Sequence, residues 1–388
     1  MLKKIFWFFF SLFLASFDGL LNLKFRFDER EHSPLLIVRV DNIGDFILWL
    51  PFVKNLHARY SFNKKPILIC NRTCFELAQA TGLFSKVIGV NNLRFTRDLK
   101  YRYRMLRNIA SLGASVAIQP TYSRVFLIGD SLVRASNAKE RIGFDCDLSN
   151  ISPWQKRISD RWYTQLVPAS LSPMMELNRN AEFLRNLGKS DVYASLPVLP
   201  ELVKLATDKT ISEDYFIMFP GASSPIKIWP VESFARVARK IVDEYGFVPV
   251  ICGGEMEQEL GDLLLRRIGD DRGKNYAGET SIPELSEMVR GARFVVSNDT
   301  SVVHIATAVA TPSVCILGGG HYGRFLPYPV ELEGVKPITV INKMNCFCCN
   351  WRCQFTDDQS RPYPCVEGIS IQQVKCAVDL VMRQTPTQ

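Results

Sequence analysis

The stretch Leu-Leu-Ile-Val-Arg-Val-Asp-Asn-Ile-Gly-Asp-Phe, residues 35–46, is an apolar run that ends in a polar turn. Its first half, Leu35–Val40, contains β-branched residues and is typical of a buried strand. A glycine-containing turn follows at Asp41–Asp45, and apolar residues then recur at helical spacing over Phe46–Tyr60. A strand that leads through a short turn into a helix is the repeating unit of doubly wound sheets. The stretch therefore predicts an α/β fold.

The alternation of strand and helix patterns continues along the chain and then restarts. Further strands are predicted at Pro66–Cys70, Val87–Val90 and Ser115–Gln119, and helices at Phe75–Thr81, Leu99–Leu112, Val125–Val133 and Asn178–Leu187. After a linker at Leu196–Pro200, we expect strands at Tyr215–Phe219, Phe247–Cys252, Phe294–Ser297 and Ser313–Leu317, and helices at Val231–Tyr245, Glu255–Ile268, Ile282–Arg290, Ser301–Ala310 and Ile369–Met382. The pattern predicts two Rossmann-like doubly wound domains, 33–200 and 201–388, with a ligand in the cleft between them.

Charge is distributed unevenly along the sequence. Residues 1–200 contain 28 Lys and Arg against 16 Asp and Glu, a net charge of +12, whereas residues 201–388 have a net charge of −4. The densest basic stretch consists of Arg94, Arg97, Lys100, Arg102, Arg104 and Arg107. Such a patch attracts anionic lipid headgroups or a phosphorylated acceptor, and the alternative is a solvated helix face. No nucleic-acid-binding motif accompanies the charge, so we expect no nucleic-acid partner.

Residues 1–32 form a hydrophobic and basic segment. Two lysines, Lys3 and Lys4, precede the apolar run Ile5–Phe17, which at 13 residues is shorter than the about 20 that a transmembrane helix needs. No clear small-residue cleavage site follows the run, which disfavours a signal peptide. We expect a helix that lies in the membrane interface. A signal-anchor and a helix packed on the first domain are the alternatives.

The sequence contains eleven cysteines. Those at Cys70, Cys252 and Cys315 lie in apolar runs, which indicates buried thiols in a reducing compartment. The Cys-rich segment 346–365 contains a C-x2-C-x3-C-x11-C pattern that could hold zinc, formed by Cys346, Cys349, Cys353 and Cys365. Buried thiols or a redox-sensitive loop are the favoured interpretation of this segment, and no metal site is expected.

The turn after the first predicted strand carries the candidate acceptor-side residues, namely Arg39, Asp41, Asn42, Gly44 and Asp45. Ligands bind at this position in doubly wound sheets, and Gly44 permits a close approach to the backbone. Either Asp41 or Asp45 could take a proton from a hydroxyl group. The alternative for Asp45 is that it caps the following helix.

Three loops of the second domain carry the candidate donor-binding residues, which are Ser223, Ser224 and Lys227, then Gly253, Gly254 and a carboxylate beyond them, then Asp299, Thr300, Ser301 and His304. Backbone N–H groups, hydroxyls, a lysine and a helix N-terminus can together hold a diphosphate. Each motif also has a purely structural interpretation: an ordinary loop, a tight turn, a helix N-cap or a structural histidine.

Taken in order and spacing, the motifs resemble glycosyltransferase family 9, the ADP-heptose:lipopolysaccharide heptosyltransferase family. The resemblance covers about residues 33–380, and it lies in R-x-D-N-I-G-D-F at 39–46, F-P-G-A-S-S-x2-K-x-W-P at 219–230, G-G-E-x-E at 253–257 and S-N-D-T-S-x2-H at 297–304. It implies the GT-B fold, with the acceptor on the N-terminal domain and the donor on the C-terminal one. It further implies an inverting, metal-independent transfer that requires no cofactor besides the nucleotide-sugar, ADP-heptose.

The same resemblance implies a role for individual residues. It makes Asp45 the general base, Lys227 the contact to the donor phosphates and Glu257 the contact to the nucleoside; Asp299, Thr300 and His304 hold the donor sugar and diphosphate. The expected acceptor is a phosphorylated lipid-linked saccharide, such as the lipopolysaccharide core, at the cytoplasmic face of the inner membrane. Ser301 stands where many members have glycine, so the sugar stays open. The alternatives are a transferase of O-antigen or capsule assembly that uses another nucleotide-sugar, and a non-catalytic membrane scaffold.

Overall fold

The computed structural model describes residues 2–24, 34–60, 64–206 and 209–384. The chain divides into two compact units. One contains the described residues up to Ser172 together with Asn178–Ala194, and the other contains Pro173–Leu177 and the described residues from Ser195 onward. The assignment of an acceptor domain to 33–200 and a donor domain to 201–388 stays a prediction.

The first unit is built on a six-stranded parallel sheet with the order β3-β2-β1-β4-β5-β6. Its strands are β1 Leu35–Arg39, β2 Ile67–Asn71, β3 Lys86–Val90, β4 Val116–Gln119, β5 Glu140–Phe144 and β6 Gln165–Val167. The helices from the N-terminus to the one that follows β6 are α1 Leu2–Lys24, α2 Ile43–Trp49, α3 Val53–Tyr60, α4 Phe75–Ala80, α5 Asn92–Arg97, α6 Leu99–Ala110, α7 Ser131–Ala135, α8 Pro153–Ser159 and α9 Glu176–Asn186. A π-helical turn, Phe126–Asp130, precedes α7.

The second unit repeats this topology, with the order β12-β11-β10-β7-β8-β9 and all strands parallel. Its strands are β7 Tyr215–Phe219, β8 Val248–Ile251, β9 Lys274–Asn275, β10 Val295–Asn298, β11 Ser313–Ile316 and β12 Ile338–Val340. Its helices are α10 Val231–Tyr245, α11 Gln258–Ile268, α12 Ile282–Gly291, α13 Ser301–Ala308, α14 Pro364–Glu367 and α15 Ile371–Gln384. Two doubly wound parallel sheets confirm the predicted fold class.

The central strands are apolar because both faces of each sheet are covered. Every residue of β1 is buried, and so is every residue of β4, β8, β10 and β11. In the second unit, the strand side chains Phe216 and Val296 pack with Trp229 and Phe234 and with Val374 of α15 in one core. Burial on two faces explains why these strands are continuous apolar runs rather than alternating ones.

One predicted helix, Phe46–Tyr60, is interrupted in the structure. Helix α2 ends at Trp49, a 3-10 turn spans Leu50–Phe52, and α3 resumes at Val53. The interruption lies at Pro51, which has no backbone N–H to donate and whose ring clashes with the preceding helical turn.

Several short elements were not predicted from the sequence, namely β5, β6, β9, β12, α5, α8 and α14. Helix α8 has a capping box between Ser152 and Gln155 and a proline at its first position, and both signals are visible in the sequence. Strand β9 has only two residues, Lys274 and Asn275, and neither is a strand former.

Helix α1 packs on the first unit. A helix packed on the first domain was the less favoured of the alternatives for residues 1–32. Asp18 is buried and accepts a hydrogen bond of 2.7 Å from Arg102 Nε. Arg102 is therefore not part of a solvated basic patch, because its side chain is 0% exposed. Within the described residues, no helix is both long and apolar enough to cross a membrane.

Candidate functional site

The predicted acceptor-side loop follows the carboxyl end of β1, next to the carboxyl end of β4. The strand order reverses between these two strands, and a doubly wound sheet has its binding crevice at that point. Thr121, which follows β4, donates a hydrogen bond of 2.8 Å from Oγ1 to Asp41 Oδ2 and so joins the two loops. The loop predicted from the sequence therefore lies where this fold binds ligands.

The buried side chain of Arg39 holds the loop after β1 together. Its side chain is 1% exposed, and its Nε lies 2.8 Å from Asp41 Oδ2. The guanidinium also donates hydrogen bonds to the backbone oxygens of Pro120 and Asp45, at 3.3 and 3.2 Å. A buried side chain with these contacts positions the loop, and its part in binding an acceptor stays a prediction.

Asp45 lies in the first turn of α2 and is half-buried. The N-cap of α2 is Asn42, so the alternative that Asp45 caps this helix is wrong. The carboxylate of Asp41 is already engaged by Arg39 and Thr121, as described above. The general-base role of Asp45 stays a prediction. Gly44, also half-buried, keeps the backbone beside it accessible.

The predicted donor-binding residues follow the carboxyl ends of three neighbouring strands, β8, β7 and β10. The strand order of the second sheet reverses between β7 and β10. Asn298, the last residue of β10, is fully buried and joins the loops at this point. Its Nδ2 donates to the Pro220 oxygen at 2.6 Å, and its Oδ1 accepts from the Trp229 backbone N–H at 3.0 Å. Asn298 was not among the predicted site residues.

Lys227 and Asp299 meet at this edge of the sheet. Lys227 Nζ lies 3.9 Å from Asp299 Oδ2 and 4.7 Å from the centre of the Trp351 ring. Burial raises the pKa of Asp299 above its ordinary value, although Lys227 and His321 attract its charged form. The ammonium group is thus held by one carboxylate and one aromatic face, and such an arrangement can neutralise a phosphate group.

Glu257 and two glycines form the adjoining part of the site. The Glu257 carboxylate accepts a hydrogen bond from the Gly254 backbone N–H. A Cβ on Gly221 would lie 2.5 Å from Glu257 Cδ, so a larger residue at this position would displace the Glu257 side chain. The second and third predicted motifs therefore contact each other. The carboxylate stays half-buried beside the exposed Gly254.

The predicted hydroxyl-bearing residues of the site follow the carboxyl ends of strands β7 and β10. Ser223 is exposed, and the backbone oxygen of Ser224 accepts a hydrogen bond of 3.0 Å from the Lys227 backbone N–H. Thr300 is the N-cap of α13, yet its side chain makes no capping hydrogen bond, and among the residues that the structure describes its buried Oγ1 has no hydrogen-bond partner. Ser301 begins the helix and is half-buried. A hydroxyl without a partner at a helix N-terminus is suited to an anionic ligand.

His304 lies one turn further along α13 and is 3% exposed. Its Nδ1 is 2.8 Å from the Tyr328 hydroxyl, and the two rings stack with their centres 5.8 Å apart. Burial lowers the pKa of His304 to about 4, so the ring is neutral at neutral pH. These contacts favour a structural histidine, and its role in donor binding stays a prediction.

This burial makes the stability of the protein depend on pH. The unfolded chain binds a proton at His304 below its ordinary pKa of 6.5, whereas the folded chain does so only near 4. Folding stability from this group is therefore complete above pH 6.5 and is lost as the pH falls toward 4. Between pH 7 and 5 we expect the wild type to lose about 2 kcal/mol of its free energy of unfolding, a loss that the His304→Gln variant should not show. Urea unfolding at both pH values measures this difference.

The Tyr328→Phe variant is the matched control, because it removes the hydrogen bond but keeps the ring buried. It should retain the pH dependence of the wild type. If His304→Gln and wild type lost equal stability between pH 7 and 5, burial would not be the cause.

The Cys-rich segment contributes to the site in a way that sequence reasoning missed. Its backbone N–H groups at Cys348 and Asn350 donate to the oxygens of Gly319 and Gly320, at 2.8 and 2.9 Å. His321 Nε2 lies 2.7 Å from Asn350 Oδ1. The segment thus fixes the loop after β11 and places Trp351 against Lys227. The only signal in the sequence was the aromatic residues between the cysteines.

The cysteines themselves are all free thiols. Burial, and after it the neighbouring Cys349, raise the pKa of Cys346 above its ordinary value. In the part of the chain that the structure describes, no group of three or more His, Cys, Asp or Glu side chains is arranged to hold a metal ion. The zinc interpretation of Cys346, Cys349, Cys353 and Cys365 therefore gains no support from the geometry.

Known proteins resemble this chain at the level of family, sequence and fold. The family model "Glycosyltransferase family 9 (heptosyltransferase)" matches residues 131–348. Lipopolysaccharide heptosyltransferase 2 of Escherichia coli (strain K12) is 30% identical over 129 residues, which are 32% of this chain and 37% of that protein. The alignment thus spans little more than a third of that relative's length.

Two longer matches cover both units. Lipopolysaccharide heptosyltransferase 3 of Escherichia coli (strain K12) is 22% identical over 298 residues, which are 74% of this chain and 82% of that protein. The solved structure of E. coli ADP-heptose LPS heptosyltransferase II superposes with a TM-score of 0.64 at 16% identity, over 91% of this chain and 99% of that chain. This superposition agrees with the predicted GT-B fold.

Proposed function

Because the chain belongs to glycosyltransferase family 9, we propose that it transfers a heptose from ADP-heptose to a lipid-linked saccharide of the lipopolysaccharide core. The relatives and the superposed structure described above carry heptosyltransferase names, and one of those names includes ADP-heptose as the donor. We further propose that the transfer inverts the anomeric configuration and needs no metal ion. The reaction takes place at the cytoplasmic face of the inner membrane.

The observation that carries this proposal is the position of Lys227. A lysine side chain that is 16% exposed lies at the topological switch point, held by Asp299 and the Trp351 ring. Its charge neutralises the diphosphate of the bound donor and of the departing ADP. The N-terminus of α13, where the Thr300 hydroxyl bonds to no other group within the described ranges, adds positive potential. Glu257, beside Gly253 and Gly254, takes the nucleoside.

On the acceptor side, Asp45 removes the proton from the attacking hydroxyl group. The hydroxyl oxygen then forms a bond to the anomeric carbon while the bond from that carbon to the diphosphate oxygen breaks. The electron pair of the broken bond leaves on ADP, and the proton stays on Asp45 until water removes it. Asp41, Asn42 and Gly44 shape the turn that receives the acceptor, and Arg39 fixes it from below.

Two alternative functions differ from this proposal in how they would use the site. A transferase of O-antigen or capsule assembly would use the same site with another nucleotide-sugar. A non-catalytic scaffold would keep the fold without using the polar residues. The burial of Lys227 beside a carboxylate of raised pKa disfavours a scaffold, because holding two partly dehydrated charges without a ligand costs stability.

Calorimetric titration tests the donor directly. The purified full chain is titrated with ADP, UDP, GDP and their sugar conjugates in buffer with EDTA. We expect tight binding of ADP and ADP-heptose alone. Preference for UDP or GDP would keep the transferase but contradict the heptose donor, and binding of none of them would contradict the enzyme proposal.

The Lys227→Met variant locates the diphosphate in the same titration. Removing the ammonium group should weaken ADP binding by about 10- to 100-fold, because a charge-assisted contact to phosphate is worth about 1.5–3 kcal/mol. The Lys240→Met variant, at an exposed position of α10, is the control and should bind ADP as the wild type does. Equal affinities of wild type and Lys227→Met would place the diphosphate elsewhere.

A further inference from the structure

Helix α1 packs a mixed polar and apolar side on the first unit and exposes a largely apolar side to solvent. The buried side includes Ser11 and Asp18 together with Leu14 and Ala15. The exposed side chains of the opposite face are those of Phe9, Phe13, Ser16, Leu20 and Lys24, with Leu23 beside them. Positions 9, 13, 16, 20 and 23 follow the spacing of a single helical stripe.

The exposed side of α1 differs from that of a helix that covers a water-soluble domain. Such a helix normally buries its apolar stripe and exposes its polar one. Here Phe9 is 63% exposed, Leu20 is 71% exposed and Leu23 is 65% exposed, whereas Asp18 is 3% exposed. A row of exposed large apolar side chains marks a surface that another apolar phase covers.

Polar contacts hold the inward side of α1 in a fixed orientation. Arg102 reaches Asp18 and also donates to the Leu127 oxygen and to Ser131 Oγ, both at 3.0 Å. Arg134 Nη1 donates to the Ala15 oxygen at 3.1 Å. Because the helix is clamped at Ala15 and Asp18, its apolar stripe cannot rotate inward without breaking a buried ion pair.

We propose that the stripe Phe9, Phe13, Leu20 and Leu23 docks α1 lengthwise on an anionic lipid bilayer. Aromatic and aliphatic side chains on one helix face insert at the boundary of headgroups and acyl chains. Exposed cations lie on α1 and on the elements beside it. Lys24 is at the end of α1, Lys100, Arg104 and Arg107 are on α6, which packs on α1, and Arg94 and Arg97 are on the adjoining α5. These charges attract anionic headgroups.

Charge also decides between a bilayer and a second copy of the chain. The first 200 residues have a net charge of +12, so two copies meeting through this region would repel each other, whereas an anionic surface would attract either one. This proposal deepens the membrane location given under the proposed function, and it does not depend on the donor. Its test uses no substrate, so its failure and that of the transferase proposal are distinguishable.

Vesicle co-sedimentation of the full chain tests the proposal. We expect binding to vesicles of phosphatidylcholine and phosphatidylglycerol, and weaker binding to phosphatidylcholine alone. The Phe9→Ser, Phe13→Ser, Leu20→Ser triple variant should bind anionic vesicles roughly 100-fold more weakly. The control is Leu171→Ser, which alters a still more exposed leucine elsewhere in the first unit and should bind as the wild type does.

Three results would overturn the proposal: a wild-type chain that does not bind anionic vesicles, a triple variant that binds them equally well, or a wild-type dimer that the triple variant converts to a monomer in light scattering. The last result would mean that a second copy covers the stripe. If the triple variant lost its native circular dichroism spectrum, the Leu20→Ser, Leu23→Ser pair would be measured in its place, with at least a 10-fold loss expected.

Discussion

Replacing Asp45 with asparagine should abolish turnover while leaving donor binding intact. General-base catalysis contributes about 10²- to 10⁴-fold, so kcat should fall by that range with the donor that titration identifies. The amide has nearly the shape of the carboxylate but cannot accept a proton. Because Asp45 lies in the first turn of α2, in the other unit from Lys227, the affinity for ADP should stay unchanged.

The matched control is Asp191→Asn, which removes a carboxylate at an exposed position of the first unit and should leave kcat unchanged. Asp41→Asn provides a second comparison. Asp41 pairs with Arg39 and Thr121, so its loss disturbs the loop and should reduce acceptor binding as well as kcat. An Asp45→Asn variant with wild-type kcat would contradict the general-base role and favour the scaffold alternative.

Local patterns predicted the central elements of both sheets because those patterns and the tertiary environment agree. Strand β7 and helix α10 have the predicted bounds, Tyr215–Phe219 and Val231–Tyr245. Both are deeply apolar on their core faces, and Pro230 marks the helix start. Elements at the sheet edges, such as the two-residue β9, lack such a pattern because few of their side chains enter the core.

The motifs of the candidate site were predicted one by one from the sequence, whereas the hydrogen bonds and contacts that connect them were not predicted. The hydrogen bonds from Asn298 join residues 77 and 78 positions apart, and the contact of Lys227 with Trp351 spans a longer separation still. A single sequence shows residue types and local spacing, which suffice for Lys227 and Asp299. It does not show which distant side chain completes a hydrogen bond, so Asn298, His321 and Trp351 had to come from the structure.

The same limit applies to helix α1. Its apolar composition predicted a membrane-associating segment, but the buried partner of Asp18 lies 84 residues away on α6. Arg102 belonged to a basic run and was grouped with its solvated neighbours. Only the three-dimensional contact separates this one buried arginine from the exposed cations around it.

Breaking that contact should strongly destabilise the first unit. The Arg102→Met variant leaves Asp18 buried without a partner, and removal of one member of a buried ion pair costs about 3–5 kcal/mol. Urea unfolding followed by tryptophan fluorescence should show this loss, because Trp154 packs beside α1 against Phe8. Arg104→Met, at an exposed position of the same helix, is the control and should change the free energy of unfolding by at most about 0.5 kcal/mol.

A second substitution separates the cost of an unpaired charge from the value of the pair itself. In the Asp18→Leu, Arg102→Met double variant no buried charge remains, so it should recover much of the stability that Arg102→Met loses. If the double variant were as unstable as Arg102→Met, lost packing and not the unpaired carboxylate would be responsible. The double variant also makes the inward face of α1 apolar without changing the outward one. Because Arg134 still donates to the Ala15 oxygen, we expect α1 to keep its orientation and the double variant to bind anionic vesicles as the wild type does.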